Sequence, residues 1–376
     1  MPTQARPPFR WAILGAGGVS RKFVLGLRAL GDAATPIVVA SRMPENAKRF
    51  AASLGVPESA SYEDAAAHPQ VDAVYIATPP SEHEAHAALA IAAGKPVLIE
   101  KPFALDAAAA ARIAVQAEAA GVFCMEAMWT RFLPMLDTLR ARIANGEIGE
   151  IRSFEGGFFG SDAPDAANSL FDPARGGGAL MHRGIYPLSL ARHLLGPVST
   201  LQAMARIGET GVDEDVALTL RHASGAISTL RASLRASGPN GAIIRGAKGV
   251  IEIAPPIYRP FKARLTVVSP RKGGTGAGGG GRFEALKEGG FLQGLNQRAD
   301  GLKALLRSRA GGLSGKFEGN GYHYEAAAVA AAVTAGQGEH ALMPLAESVE
   351  IMDLVDQAKS QWTEAAVSRR AQGAKH

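Results

Sequence analysis

The stretch WAILGAGGVS, Trp11–Ser20, decides the fold of this chain. Three apolar residues, Ala12, Ile13 and Leu14, run straight into Gly15, Gly17 and Gly18, and an amphipathic segment follows from about Ser20 to Leu30. That order predicts strand, tight turn, helix. Gly15 permits the sharp turn, Gly17 lets the backbone approach a pyrophosphate, and the helix N-terminus offers unpaired N–H groups and the positive end of its dipole. Ser20 stands where the usual pattern has a third Gly or Ala, and is still small enough for close helix–strand packing. The turn reads as a dinucleotide site, with Gly17, Gly18, Val19 and Ser20 at the pyrophosphate; the plainer alternative is a structural turn.

Outward from this turn the chain keeps the same grammar. Ile37–Ala40, Ala73–Ala77, Val97–Ile99 and Val122–Met125 are short apolar runs, separated by helical patterns over Pro44–Leu54, Glu82–Ala93 and the Ala-rich segment that Asp106 caps and Gly121 stops. Apolar strands between helices predict a doubly wound parallel sheet covered on both faces. Past residue 128 the pattern changes. A helix over Pro134–Ala144 precedes strand-like runs at Ile151–Phe159, Val198–Ile207, Val216–Leu220, Ile227–Leu234, Ala242–Ile244, Val250–Ile253 and Arg264–Val268, interrupted by one helix at Ala179–Leu195. The expectation is α/β with two domains: a dinucleotide-binding domain over 1–128, and a second α/β domain over 129–376 with a large, mostly antiparallel open sheet. Two closing helices, Tyr324–Ala335 and Leu345–Ala365, are placed to pack back on the first domain. Residues 269–316 read as an insert, with a Gly-rich run at Gly273–Gly281 and a basic amphipathic helix at Phe291–Arg309.

Composition narrows the class. A chain of 376 residues exceeds one ordinary core, and 47% hydrophobic with 20% charged residues describes a globular protein. A net charge of +5 suits an anionic cofactor without implying nucleic acid. Cys124 is the single cysteine, so no intrachain disulfide can form, and its apolar neighbours predict burial. The first ten residues lack an apolar h-region and no run of about twenty apolar residues occurs, so a cytoplasmic protein without a membrane span is expected. No Cys/His/carboxylate set has metal-ligand spacing.

Strand two ends in Ala40-Ser41-Arg42. An NAD site normally carries Asp or Glu there for the ribose hydroxyls, whereas Ser41 and Arg42 offer a hydroxyl and a guanidinium suited to a 2′-phosphate. NADP is therefore expected over NAD. The loops Thr78–His83 and Glu100-Lys101-Pro102 follow strands three and four, at the sheet edge where such folds bind ligands. Lys101, following an apolar strand, can hold a substrate hydroxyl or donate a proton with a pKa lowered by a dry pocket, or can simply pair with Glu100.

GAGGVS, TPPSEH, LIEKPF and GGGALMHRGIY together resemble the glucose–fructose oxidoreductase / inositol dehydrogenase / rhizopine-catabolism (Gfo/Idh/MocA) family. MEAMWTRFLP, TGVDEDVALTL, EGNGYHYEA and ALMPLAES resemble its dihydrodiol dehydrogenase / NADP-dependent xylose dehydrogenase branch. The resemblance implies a Rossmann domain, and a second domain whose open sheet packs against another subunit in a homo-oligomer. It also implies NAD(P)-dependent hydride transfer at a hydroxyl-bearing carbon of a sugar, polyol or cyclic diol. Carried over to this sequence, Gly15, Gly17, Gly18, Val19 and Ser20 bind pyrophosphate, and Ser41 and Arg42 meet the adenosine phosphate. Thr78, Pro79 and His83 form the loop beside the cofactor, and Glu100-Lys101 is the motif with the catalytic lysine. Tyr186 is the catalytic tyrosine, assisted by Lys101 lowering its pKa, and Trp129 and Phe158 line the substrate pocket.

Two positions depart from the family. Pro80 stands where Asn is common. The branch usually reads GGALLDIGIY, and its Asp supports the tyrosine; here His182 takes that place and Arg183 follows. At i, i+4 from Tyr186, His182 faces the same side of a helix, as a supporting or acid–base group. The rival from another class is a cofactor-binding sensor or regulator on the same fold, favoured by the missing Asp.

Overall fold

The computed structural model describes residues 7–268 and 308–373. The Trp11–Leu14 run lies in β1 (Phe9–Leu14), and α1 (Gly18–Leu27) leaves the glycine turn. There follow β2 (Ala34–Ala40), α2 (Pro44–Leu54), β3 (Glu58–Ala60), α3 (Tyr62–Ala66), β4 (Ala73–Ile76) and α4 (His83–Ala92). Then come β5 (Val97–Glu100), α5 (Ala107–Ala120) and β6 (Cys124–Ala127). The six strands form one parallel sheet in the order β3-β2-β1-β4-β5-β6. The order reverses beside β1, which opens a crevice at the carboxyl ends of β1 and β4. The local signals behave as their chemistry requires. Asp106 caps α5 by accepting from Ala109 N, and Gly121 ends it in the left-handed region. Cys124 is fully buried and its thiol is pushed up to about 12 by burial. The short edge strand β3 carries no apolar pattern and was not legible; pairing with β2 alone makes it a strand.

Beyond β6 come α6 (Pro134–Ala144), β7 (Ile151–Ser161), α7 (Ile185–Leu195), β8 (Val198–Ile207), β9 (Asp213–His222), β10 (Ile227–Ser233), β11 (Arg235–Ala236), β12 (Ala242–Gly246), β13 (Gly249–Ile253), β14 (Lys262–Val268) and β15 (Ser308–Ser314). They build a nine-stranded sheet in the order β15-β14-β13-β12-β7-β10-β9-β8, with β11 beside β7. Every pair is antiparallel except β7 with β10. Alternating burial along β9 and β10 puts one face on the core and leaves Ile227, with Met204 of β8, exposed.

The stretch read as an insert is corrected at its C-terminal end. Ser308–Ser314 is β15, paired along its length with β14, so the sheet resumes before residue 316. Gly311 and Gly312 are poor helix formers, and edge pairing satisfies their backbone instead. The helix read at Phe291–Arg309 and the Gly-rich run fall almost wholly in 269–307, outside the described residues.

The chain closes with α8 (Tyr322–Thr334) and α9 (Leu345–Gly373). Both return to the first sheet. α8 packs on α1, where Asn320 donates to Lys22 O at 2.6 Å, and α9 packs on α5, where Asp356 accepts from Ala107 N at 2.8 Å. Gln361 also bonds both ways with the backbone of β8, at Ala203 N and Leu201 O. Arg131, fully buried after β6, joins these layers: it donates to Ser189 Oγ and O, to Leu342 O at 3.0 Å, and pairs with Glu347 at 2.6 Å. No helix among the described residues is long and apolar enough to cross a membrane.

Candidate active site

The glycine turn shows why each small residue is needed. Gly15 has φ +109°, and a Cβ there would meet Ala77 O at 2.6 Å, so no other residue fits. A Cβ added at Gly17 or Gly18 would meet nothing within 4 Å, so both face open space, the cradle that a pyrophosphate would fill at the uncapped N-terminus of α1. Ser20 is buried against the sheet, as the third small position requires. At the end of β2, Ser41 is half-buried and Arg42 exposed. Tyr62 OH accepts from Arg42 N at 2.9 Å, fixing the backbone, while the guanidinium makes no ion pair among the described residues. These residues fit a dinucleotide bearing a 2′-phosphate, with no carboxylate at the position that NAD sites use.

Thr78 and Pro79 follow β4 at the crevice. His83 does not face it. Its Nε2 lies 2.9 Å from Thr78 O and its Nδ1 3.1 Å from Pro102 O, so the ring ties the two loops together from behind. Burial lowers its pKa to about 4, which keeps it neutral. Glu100 likewise turns inward, accepting from Tyr75 OH at 2.5 Å and from Lys101 N at 3.2 Å. An aromatic column of Trp11, Phe23 and Tyr75, with Phe23 and Tyr75 stacked at 3.8 Å, leads from β1 to this carboxyl. Both residues were expected at the cofactor; in this structure their side chains bond to the backbone and core behind the Thr78 and Lys101 loops.

Lys101 emerges from this support into a cavity of about 460 Å³ between the glycine turn and the second sheet. Val19, Trp129, Phe158, His182 and Tyr186 line it with Lys101. The Lys101 ammonium lies 5.2 Å from the centre of the Tyr186 ring, and Trp129 Nε1 donates to Tyr186 OH at 3.4 Å. Two expected pKa directions are corrected. Burial alone would lower Lys101, but the adjacent Tyr186 and Glu100 raise it above its ordinary value. Tyr186 is also raised: burial outweighs the lowering by Lys101. At neutral pH the pair is therefore an ammonium beside a phenol.

His182 occupies the cavity wall, in surroundings that keep its imidazole neutral near neutrality. Burial, Lys101 and Arg183 bring its pKa down to about 3, and its buried Nε2 has no hydrogen-bond partner among the described residues. The helix read as Ala179–Leu195 opens with a wide π-turn at Leu180–Gly184, which carries His182 and Arg183. Asp213 holds that turn, accepting from Leu180 N at 2.7 Å, and Gly178 leaves room for its carboxylate.

Several contributors were not singled out from sequence. Tyr258, on the β13–β14 connection, stacks on Phe158 at 4.9 Å, and Tyr322 stacks on Trp129 at 4.6 Å. Arg183, Arg259 and Lys22 add charge to the walls. Tyr322 lies inside EGNGYHYEA, so that motif was a usable signal; Tyr258 and Arg259 sit in an unmarked turn that only the sheet brings here.

Residues 9–128 match the model of an oxidoreductase family with an NAD-binding Rossmann fold, and residues 136–252 match the GFO/IDH/MocA C-terminal domain. The trans-1,2-dihydrobenzene-1,2-diol dehydrogenase of Sus scrofa is 35% identical over 67% of this chain and 76% of its own length. That of Oryctolagus cuniculus is 30% identical over 92% and 96%. Among solved structures, an aldose–aldose oxidoreductase from Caulobacter crescentus superposes with TM-score 0.77 at 20% identity, covering 95% of this chain and 98% of that one. A 3-ketoreductase from Actinomadura kijaniata, complexed with NADP and TDP-benzene, gives 0.75 at 22%, covering 94% and 98%. These two show the shared fold. With both halves matched and the motifs gathered around one cavity, the chain belongs to the Gfo/Idh/MocA oxidoreductase family.

Proposed function

We propose that this protein is an NADP-dependent dehydrogenase that moves a hydride between the nicotinamide and a hydroxyl-bearing carbon of a sugar, polyol or cyclic diol. The observation that carries it is the Lys101–Tyr186 pair, 5.2 Å apart by ammonium and ring centre, facing the crevice of the glycine turn. The dehydrogenase relatives and the NADP-bound neighbour support the same chemistry.

Gly15–Ser20 and Ser41-Arg42 would hold the cofactor, which when bound supplies the hydride acceptor or donor. Lys101, anchored over Glu100, holds the substrate oxygen. Tyr186 exchanges the proton with that oxygen. As a phenol it is ready to donate in the reducing direction; in oxidation it must first lose its proton, and the Lys101 ammonium stabilises the phenolate. Trp129 and Phe158, backed by Tyr322 and Tyr258, cover a ring face and exclude water. His182, held neutral, orients without exchanging charge. The exposed face of the second sheet, with Met204 and Ile227, is the surface for a homo-oligomer. The expected compartment is the cytoplasm.

The test follows absorbance of the reduced nicotinamide across aldoses, inositols and dihydrodiols with NADP and NAD. Turnover lost in Tyr186→Phe with NADPH binding intact is the expected result. NADPH binding without turnover of any substrate would instead favour the sensor reading raised by the missing Asp.

A further inference from the structure

The walls of the cavity carry an unbalanced charge. Lys22, Lys101, Arg183 and Arg259 line it, and among the described residues no Asp or Glu does. The carboxyls behind it do little to offset this. Burial raises both Glu100 and Glu325 toward the protonated form, Glu325 well above its ordinary value. The neighbouring cations help hold His182 neutral.

The four cations have different tasks. Lys22 projects from α1, one turn past the pyrophosphate cradle, and belongs with the cofactor phosphates. Lys101 faces Tyr186 and the reacting hydroxyl. Arg183 and Arg259 come from the second sheet's side, and the proton exchange uses neither. Arg183 is built in rather than loose. It donates to Ser233 O at 2.5 Å, pairs with Asp162, packs over the Gly160 backbone and lies 5.6 Å from the Phe158 ring centre. Those bonds occupy part of its five-donor fork and aim the rest. The half-buried Arg259 guanidinium makes no hydrogen bond or ion pair among the described residues. In the segment GGALMHRGIY the chain places an imidazole at residue 182 and a guanidinium at 183, with no carboxylate between Gly176 and Leu195 to balance them. A neutral sugar or diol would leave the Arg259 guanidinium partly desolvated with no counter-charge, and Arg183 with Asp162 alone, which is unfavourable.

We infer that the substrate is an anion, a sugar or cyclic hydroxy compound bearing a carboxylate or phosphate that Arg183 and Arg259 grip while Lys101 and Tyr186 address its hydroxyl. This rests on the dehydrogenase reading above and narrows its substrate class. The planar guanidinium matches either anion bidentately, so the shared chemistry is an oxyanion set on the substrate's far side from the reacting carbon.

The test is calorimetric titration of the protein saturated with NADP, using matched pairs: galacturonate against galactose, shikimate against trans-cyclohexane-1,2-diol, and glucose 6-phosphate against glucose. In at least one pair the anion binds about tenfold or more tightly than its neutral partner, as a charge-assisted bond requires. The preference shrinks as salt is raised, and falls several-fold in Arg183→Ile and in Arg259→Gln. A preference confined to the phosphate pair assigns a phosphorylated sugar; one in the carboxylate pairs assigns a hydroxy acid. Equal affinities within every pair, no binding by any anion, or a preference that survives both substitutions overturns the inference. NADP-linked turnover of a neutral polyol without anion preference sinks this inference alone, whereas loss of the dehydrogenase reading would show as cofactor binding without any turnover.

Discussion

Replacing Arg42 by Ala isolates the part of the site that chooses the cofactor. Arg42 is exposed, its backbone is held by Tyr62 OH at 2.9 Å, and its guanidinium is uncommitted among the described residues. A guanidinium meeting a phosphate at about 4 Å gains ~1 kcal/mol in bulk water and ~4 kcal/mol near a protein surface. Solvent screening at an exposed position keeps the net effect near the low end of the 1.5–3 kcal/mol typical of charge-assisted bonds. Losing about 1–2 kcal/mol weakens NADPH roughly five- to thirtyfold. NADH lacks the 2′-phosphate, so its affinity should stay within about twofold, and the NADPH effect should fade at high salt. Fluorescence titration of wild type and Arg42→Ala with both cofactors reads all of this. Equal wild-type affinities for NADPH and NADH, or an equal loss of both in the variant, would refute the assignment of Ser41-Arg42 to the phosphate.

Other expectations follow from the same geometry. Because Tyr186 lies above its ordinary value of 10.0, kcat/KM for oxidation should climb with pH to above 10, while reduction, which needs the phenol, stays flat across neutrality; an oxidation profile that levels off at pH 7 would contradict the burial argument. With His182 down near 3, neither profile should inflect between pH 5 and 8, and a wild-type inflection there that His182→Asp removes would restore the acid–base role to the histidine. His83 is buried and neutral, with a folded pKa of about 4 against 6.5 unfolded. The unfolded chain alone gains a proton there between those values, so stability should fall as pH drops through that window, by about 1.4 kcal/mol per unit at most from this residue; a denaturant midpoint unchanged from pH 7 to 5 would count against it. Arg131→Met takes from the largely covered Glu347 its 2.6 Å partner, leaving Arg192 at 3.8 Å, and should cost about 3 kcal/mol in equilibrium unfolding, and a loss below about 1 kcal/mol would mean the cluster is not shielded from water.

The sequence by itself determined the first sheet and the glycine turn, because these depend on local chemistry. A strand running into Gly15 or a cap at Asp106 acts within a few residues of itself. Lys101 and Tyr186 were legible for another reason: their surrounding motifs are distinctive. Only the tertiary structure decided the directions of their pKa shifts, since burial and the packing of Glu100, Tyr75 and Trp129 around them arise from segments far apart in the chain. The same holds for the inward orientation of Glu100 and His83, which Tyr75 and the carbonyls of Thr78 and Pro102 set. It holds for Ser308–Ser314, read as the end of an insert and made a strand by pairing with β14. Tyr258 and Arg259 carry no local signal at all; the turn between two antiparallel strands delivers them to the cavity, and strand register is a long-range property that no window of sequence contains.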